Sequence, residues 1–382
     1  MTPKTQIPPF TPPHRLQGVQ PTLIRQIFER ALPGSINFGL GEPDLPTPGF
    51  MRREAARVTL EEQNGYTSHA GLLPLREKIA ATYSHLGLTA DQVCLTVGSQ
   101  EAMTSAFLAL VDEGDEVLIP DPSFPAYEGC VRIAGGKPVY FRLPAEREFE
   151  FDIGEFKSKI TPRTKAAVVI SPSNPTGKIF SADDLRQIAE ALEGTGIYLI
   201  SDEIYSDLWF TEKPRSASEF YDRTIIVTGL SKSLSMTGWR IGWVASTQTA
   251  AVKACLTLHG FLTVCTPTIS QKASLVAWSP EAEAAKAEHR AIYKRRGEFL
   301  IDLLQSELGL RGTSPEGAFY TMLDIRPLGG DDMAVAERFL QNRVITVPGV
   351  AFGSESKGFL RVSFCNDEEH MTEGVRRMKE AL

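Results

Sequence analysis

Seven short apolar runs, each ending abruptly in glycine, proline or polar residues, constrain the fold of this 382-residue chain more than any other feature. They lie at 93–97, 116–120, 138–141, 166–170, 197–200, 224–228 and 241–245, and helix-period segments fill several of the gaps. One of these segments, SADDLRQIAEAL, opens with Ser181 and Asp184 at capping-box spacing. Nearly continuous apolar strands alternating with helices predict a mainly parallel sheet covered on both faces. The stretch 238–242 is too short for a crossover helix, so the strand at 241 is expected to run antiparallel.

Beyond about residue 275 the texture changes. EAEAAKAEHRAIYKRRGEFLIDLLQSEL reads as a long charged amphipathic helix, GAFYTMLDI and KGFLRVSFC as strands, and EEHMTEGVRRMKEAL as a terminal helix. The expected fold class is therefore α/β: a large domain over 46–275 with a seven-stranded sheet flanked by helices, plus a smaller α+β domain. That smaller domain is built from 1–45 and 276–382. The opening residues, MTPKTQIPPFTPPHR, are proline-rich and lack the apolar stretch of a secretion signal, so they read as an arm.

Composition excludes several classes of function. A net charge of −7 argues against nucleic acid as a partner, and no apolar run approaches the length of a membrane span. The five cysteines form no CxxC pair, which fits a reducing cytoplasm, and the six histidines show no metal-ligand spacing, so no metal is expected. Neither GxxxxGK[ST] nor GxGxxG occurs, which leaves no nucleotide phosphate loop.

Ligands of open parallel sheets collect at the carboxyl ends of the strands. Here those ends read GSQEAM (98–103), PDPSFPAY (120–127), SPSNPTG (171–177), SDEIY (201–205) and GLSKSLSMTGWR (229–240). GSQEAM follows a strand and opens a helix, so the amides of Ser99 and Gln100 should face an anion, with the helix dipole behind them.

NPTG, DEIY and SKSLSMTGWRIGW, with GEPDLPTP upstream and FLRVSF near the end, occur in an order that resembles the pyridoxal-phosphate-dependent class I/II aminotransferases of fold type I, related to aspartate aminotransferase. The resemblance runs from about residue 37 to 382. It implies an enzyme that exchanges an amino group between an L-amino acid and a 2-oxo acid by a ping-pong mechanism, with pyridoxal 5'-phosphate as cofactor. A carbon–sulfur β-lyase on the same fold is the alternative.

The chemistry assigns roles to the matching positions. Lys232 would hold the cofactor as a Schiff base, and Asp202 would keep its pyridine nitrogen protonated. Asn174 and Tyr205 are candidates for hydrogen bonds to its ring oxygen, and Phe124 matches the residue stacked on its ring. Ser231 and Arg240 would complete the phosphate cradle begun by Ser99 and Gln100. The resemblance adds Tyr66 from a partner subunit, and with it a homodimer with shared active sites. Arg361 matches the arginine that binds the substrate carboxylate, with Gly41 and Asn174 as helpers.

Specificity is less legible. Many aspartate-specific relatives are expected to carry a lysine where this chain has Gln100, so aspartate is not the expected main donor. Leu40, Phe124 and Phe261 would admit an aromatic or aliphatic side chain.

Overall fold

A computed structural model describes residues 10–382. Part of the proline-rich arm, residues 1–9, lies outside the described residues. Twelve strands occur among the described residues: β1 Ile36–Asn37, β2 Val93–Val97, β3 Glu116–Asp121, β4 Lys137–Arg142, β5 Thr164–Ile170, β6 Tyr198–Asp202, β7 Thr224–Gly229, β8 Ile241–Ala245, β9 Tyr320–Asp324, β10 Val344–Ile345, β11 Val347–Pro348 and β12 Phe359–Ser363.

Seven of them form one sheet in the order β2-β8-β7-β6-β5-β3-β4. Every residue of β7 and β8 is buried, as expected for strands with helices on both faces. The seven predicted runs all become strands, displaced by no more than two residues at either end. The predicted capping box is present: the Ser181 hydroxyl accepts from the Asp184 amide at 3.1 Å and the Asp184 carboxylate accepts from the Ser181 amide at 2.9 Å.

β8 is the one strand of this sheet that opposes its neighbours, pairing antiparallel with both β2 and β7. Its first residue, Ile241, therefore lies opposite Val97, the last residue of β2. That register carries Arg240 to the carboxyl edge of the sheet, where Lys232 also lies, three residues after β7. The turn between them holds Ser235 and Arg240 in the left-handed region, at φ 53° and 57°. Such conformations are costly for residues with a Cβ and are concentrated at functional sites.

The C-terminal part builds a separate antiparallel sheet, β11-β12-β9, and the short β1 pairs with β10. The helix Pro280–Leu308 starts on a Ser279 cap, with proline in its first turn, and stops at Gly309 with φ 67°. Arg296 of this helix donates to both carboxylate oxygens of Asp44 at 2.9 Å. The GEPD segment is thereby tied to the C-terminal part, and Gly41 is held beside the edge of the large sheet.

Candidate active site

A cavity of about 300 Å³ opens at this edge and is lined by Gly41, Ser99, Gln100, Phe124, Asn174, Asp202, Tyr205, Ser231, Lys232, Arg240 and Arg361. Eleven of the twelve residues assigned from sequence to the cofactor or the substrate carboxylate thus meet in one place. The exception is Tyr66, which is 88% exposed and lines no part of the cavity of its own chain. A larger cavity of about 470 Å³, lined by Phe149, Phe151 and Phe180, lacks such a donor set, and its one lysine, Lys178, is paired with Glu316 at 3.2 Å.

Lys232 donates to the Gly41 carbonyl at 2.6 Å. Desolvation pulls its amine down to about 8, and the nearby Arg361 and Arg240 act in the same direction. A lysine in this state is partly neutral near neutral pH and can act as a nucleophile or base. Asp202, the last residue of β6, is buried; its carboxylate accepts from the Tyr127 hydroxyl at 2.8 Å and from the Ile204 amide at 3.1 Å. Burial raises it to about 6, while those two hydrogen bonds and Lys232 oppose the rise. A cation against this carboxylate would keep it ionised. Phe124 lies beside it, its ring edge-on to Tyr127 with centroids 5.7 Å apart.

The anion end is built from backbone. Gly98, at φ 78°, precedes the helix Ser99–Leu110, and a Cβ on it would overlap the Arg240 guanidinium. A Cβ on Gly242 would overlap Gly98 and the Ser99 amide. Two glycines thus allow a helix N-terminus, a strand start and a guanidinium to crowd together. Arg240 donates to the carbonyls of Thr237 at 2.9 Å and Val97 at 3.1 Å. The Glu101 carboxylate accepts from the Val97 amide and meets His259 Nδ1 at 2.8 Å, so the peptide leading into the helix is fixed from both sides.

Opposite stands Arg361, 1% exposed, in the middle of β12. It donates to Asn174 Oδ1 at 2.8 Å and to the Gly39 carbonyl, and its Nε has no partner among the described residues. The guanidinium packs against two aromatic rings, 4.3 Å from the Tyr320 centroid and 4.7 Å from that of Phe352. An orphaned donor on a buried cation beside a cavity is suited to a carboxylate.

Sequence reasoning missed Tyr127, Tyr320 and Ile24. Tyr127 belongs to a strand-end segment already singled out, so position alone could have raised it. Tyr320 and Ile24 carry no local signal. Leu40 and Phe124 line the cavity, whereas Phe261, in the helix Thr249–Leu262, is 91% exposed and, like Tyr66, does not line the cavity of its own chain.

The residues fit pyridoxal phosphate on chemical grounds. The cavity places an amine of lowered basicity, a buried carboxylate, an amide and phenol pair, and a glycine-framed helix N-terminus within one enclosure of small-ligand size.

The family model for aminotransferase class I and II matches residues 33–378. The aromatic-amino-acid aminotransferase 2 of Thermococcus litoralis is 32% identical over 380 residues, covering 96% of this chain and 97% of that protein. The aspartate/prephenate aminotransferase of Thermus thermophilus is 33% identical over 380 residues, covering 96% and 98%. The solved structure of Thermus thermophilus aspartate aminotransferase with maleate superposes with a TM-score of 0.93 at 32% identity, over 98% of this chain and 100% of that one. The chain belongs to the class I and II aminotransferases, fold type I enzymes that depend on pyridoxal phosphate to move amino groups.

Proposed function

We propose that this enzyme transfers amino groups between 2-oxo acids and L-amino acids whose side chains are neutral and apolar, aromatic or aliphatic. The observation that carries the side-chain preference is the state of Gln100. Its amide is turned onto Cys130 Sγ at 3.4 Å, and the cations that the described residues of this chain bring to the cavity are Lys232, Arg240 and Arg361. With these three committed to cofactor and α-carboxylate, none is left for a second carboxylate on the substrate, while Ile24, Leu40 and Phe124 supply apolar wall.

In this reading Lys232 and Asp202 hold the cofactor at its two ends, Asn174 and Tyr205 donate to its ring oxygen, and Phe124 covers its ring. Ser99, Gln100, Ser231 and Arg240 hold its phosphate. When bound, the cofactor acts as an electron sink that makes the substrate's α-proton acidic. Arg361, helped by Asn174 and the Gly41 backbone, grips the substrate carboxylate and orients that proton towards Lys232. Once the substrate's amine has taken its place on the cofactor, the freed Lys232 amine would remove that proton, its basicity having been brought near working pH by desolvation.

The same reading divides the chain into a large domain, 46–275, and a small one, 1–45 with 276–382. The pairing of β1 with β10 supports placing the early residues in the small domain. It also makes the protein a homodimer in which Tyr66 of one copy completes the phosphate site of the other. Tyr66, Phe261, Leu262 and Val264 are large exposed apolar residues, and the His69 ring beside Gly260 links the two segments that carry them. None of the described helices is long and apolar enough to cross a membrane, and five free cysteines support a cytoplasmic setting.

The test is a half-reaction screen on the yellow holoenzyme. Loss of its visible band with phenylalanine, tyrosine or leucine, reversed by a 2-oxo acid, is expected; faster conversion by aspartate overturns the side-chain preference. Lys232→Ala should abolish the band and nearly all turnover. Release of ammonia and pyruvate from a cysteine conjugate, with no amino transfer, would identify a lyase instead.

A further inference from the structure

Tyr320, the first residue of β9, lies where the groups assigned to cofactor and to substrate touch. Its hydroxyl is 2.8 Å from the Tyr205 hydroxyl, and both residues are buried. Its ring lies under Arg361, 4.3 Å from ring centroid to guanidinium carbon. Its hydroxyl also abuts Gly41, where a Cβ would overlap it, and the Gly41 carbonyl is the acceptor for Lys232. One phenol therefore contacts the surroundings of Tyr205, Lys232 and Arg361 together.

We propose that Tyr320 is a positioning residue whose hydroxyl donates to Tyr205 and thereby turns the Tyr205 proton into the cavity, while its ring holds Arg361 in place for the substrate carboxylate. The proposal rests on the reading of Lys232 and Tyr205 given above. Two phenols 2.8 Å apart share one proton between their oxygens, and the stronger acid is the better donor. Arg361 over the Tyr320 ring makes Tyr320 the stronger acid of the pair. Gly41 closes the other side of the hydroxyl, which leaves Tyr205 Oη as its available acceptor. A phenol that accepts one hydrogen bond is polarised to donate a stronger second one.

A donor to the cofactor's ring oxygen draws charge from that oxygen, so the proton shared with Lys232 leaves at lower pH. Removing the Tyr320 hydroxyl weakens that donor and should raise the pH at which the visible band titrates. In holoenzyme carrying Tyr320→Phe the midpoint is expected to rise by about half a pH unit. The Michaelis constant for the amino acid should stay within about twofold, because the ring under Arg361 remains. Tyr320→Leu removes the ring too, and should raise the Michaelis constant by about tenfold.

A merely structural tyrosine would not obey the last condition: in a Tyr205→Phe background, Tyr320→Phe should shift the midpoint no further. An unchanged midpoint in Tyr320→Phe, or an equal additional shift in the double variant, overturns the proposal. Failure of the underlying reading appears separately, as a visible band that survives Lys232→Ala.

Discussion

Two buried arginines meet opposite fates in this protein. Arg296, with its side chain 9% exposed, sits at the junction of the long helix with the GEPD segment and donates to both oxygens of Asp44. Arg361, 1% exposed, faces the cavity with two neutral acceptors, two aromatic rings against its guanidinium and an Nε that has no partner among the described residues. A buried guanidinium beside a carboxylate has its charge balanced within the chain and serves the fold. One without a carboxylate weakens the fold and is balanced by an anionic ligand.

The contrast can be broken most directly at Arg361. Arg361→Met should reduce kcat/KM for amino acids by about 150-fold, equivalent to about 3 kcal/mol of lost carboxylate binding. Its stability to urea in cofactor-free form should be unchanged or higher, because an unbalanced charge has been removed. A variant that is less stable yet fully active would make Arg361 structural. Arg296→Met should show the reverse pattern. Asp44 keeps 31% of its side chain exposed, so screening limits the loss of stability to about 1–2 kcal/mol. The accompanying fall in kcat/KM should stay under about tenfold; a fall matching that of Arg361→Met would erase the distinction between the two sites.

Lys232 is the third cation, and its smaller effect sharpens the comparison. Among the described residues its amine pairs with a carbonyl and no carboxylate, and desolvation lowers it to about 8 from the ordinary 10.5. Between those values the unfolded chain holds a proton that the folded chain has lost. Stability of the cofactor-free protein should therefore rise with pH from about 8 to 10.5, through this group. Thermal scans across that range should show a flatter pH dependence in Lys232→Met than in the unmodified protein. Equal slopes would mean that Lys232 keeps an ordinary basicity.

Much of the site was legible because its residues sit at the ends of strands. Asp202 ends β6, Ser99 follows β2, and Lys232 follows β7, so a reading that located the strands also located the chemistry. Tyr320 was not legible by that route. It begins a strand of the C-terminal sheet, and nothing in GAFY indicates that its hydroxyl will meet Tyr205, 115 positions away. Phe261 was not legible either: its place in the helix Thr249–Leu262 identifies a face of the helix but not what that face meets. The capping box at Ser181 was read correctly because both of its partners lie within one turn.

By itself the sequence determined the strands, their mainly parallel arrangement, the reversed strand at Ile241 and the chemistry at the strand ends. Those features depend on apolar period, segment length and turn residues, which act over a few positions at a time. The tertiary structure alone decided the strand order, the pairing of Arg296 with Asp44, the isolation of Arg361 and the contact of Tyr320 with Tyr205. Burial and hydrogen bonding between distant segments depend on where close packing brings whole elements together, and no local pattern encodes that placement.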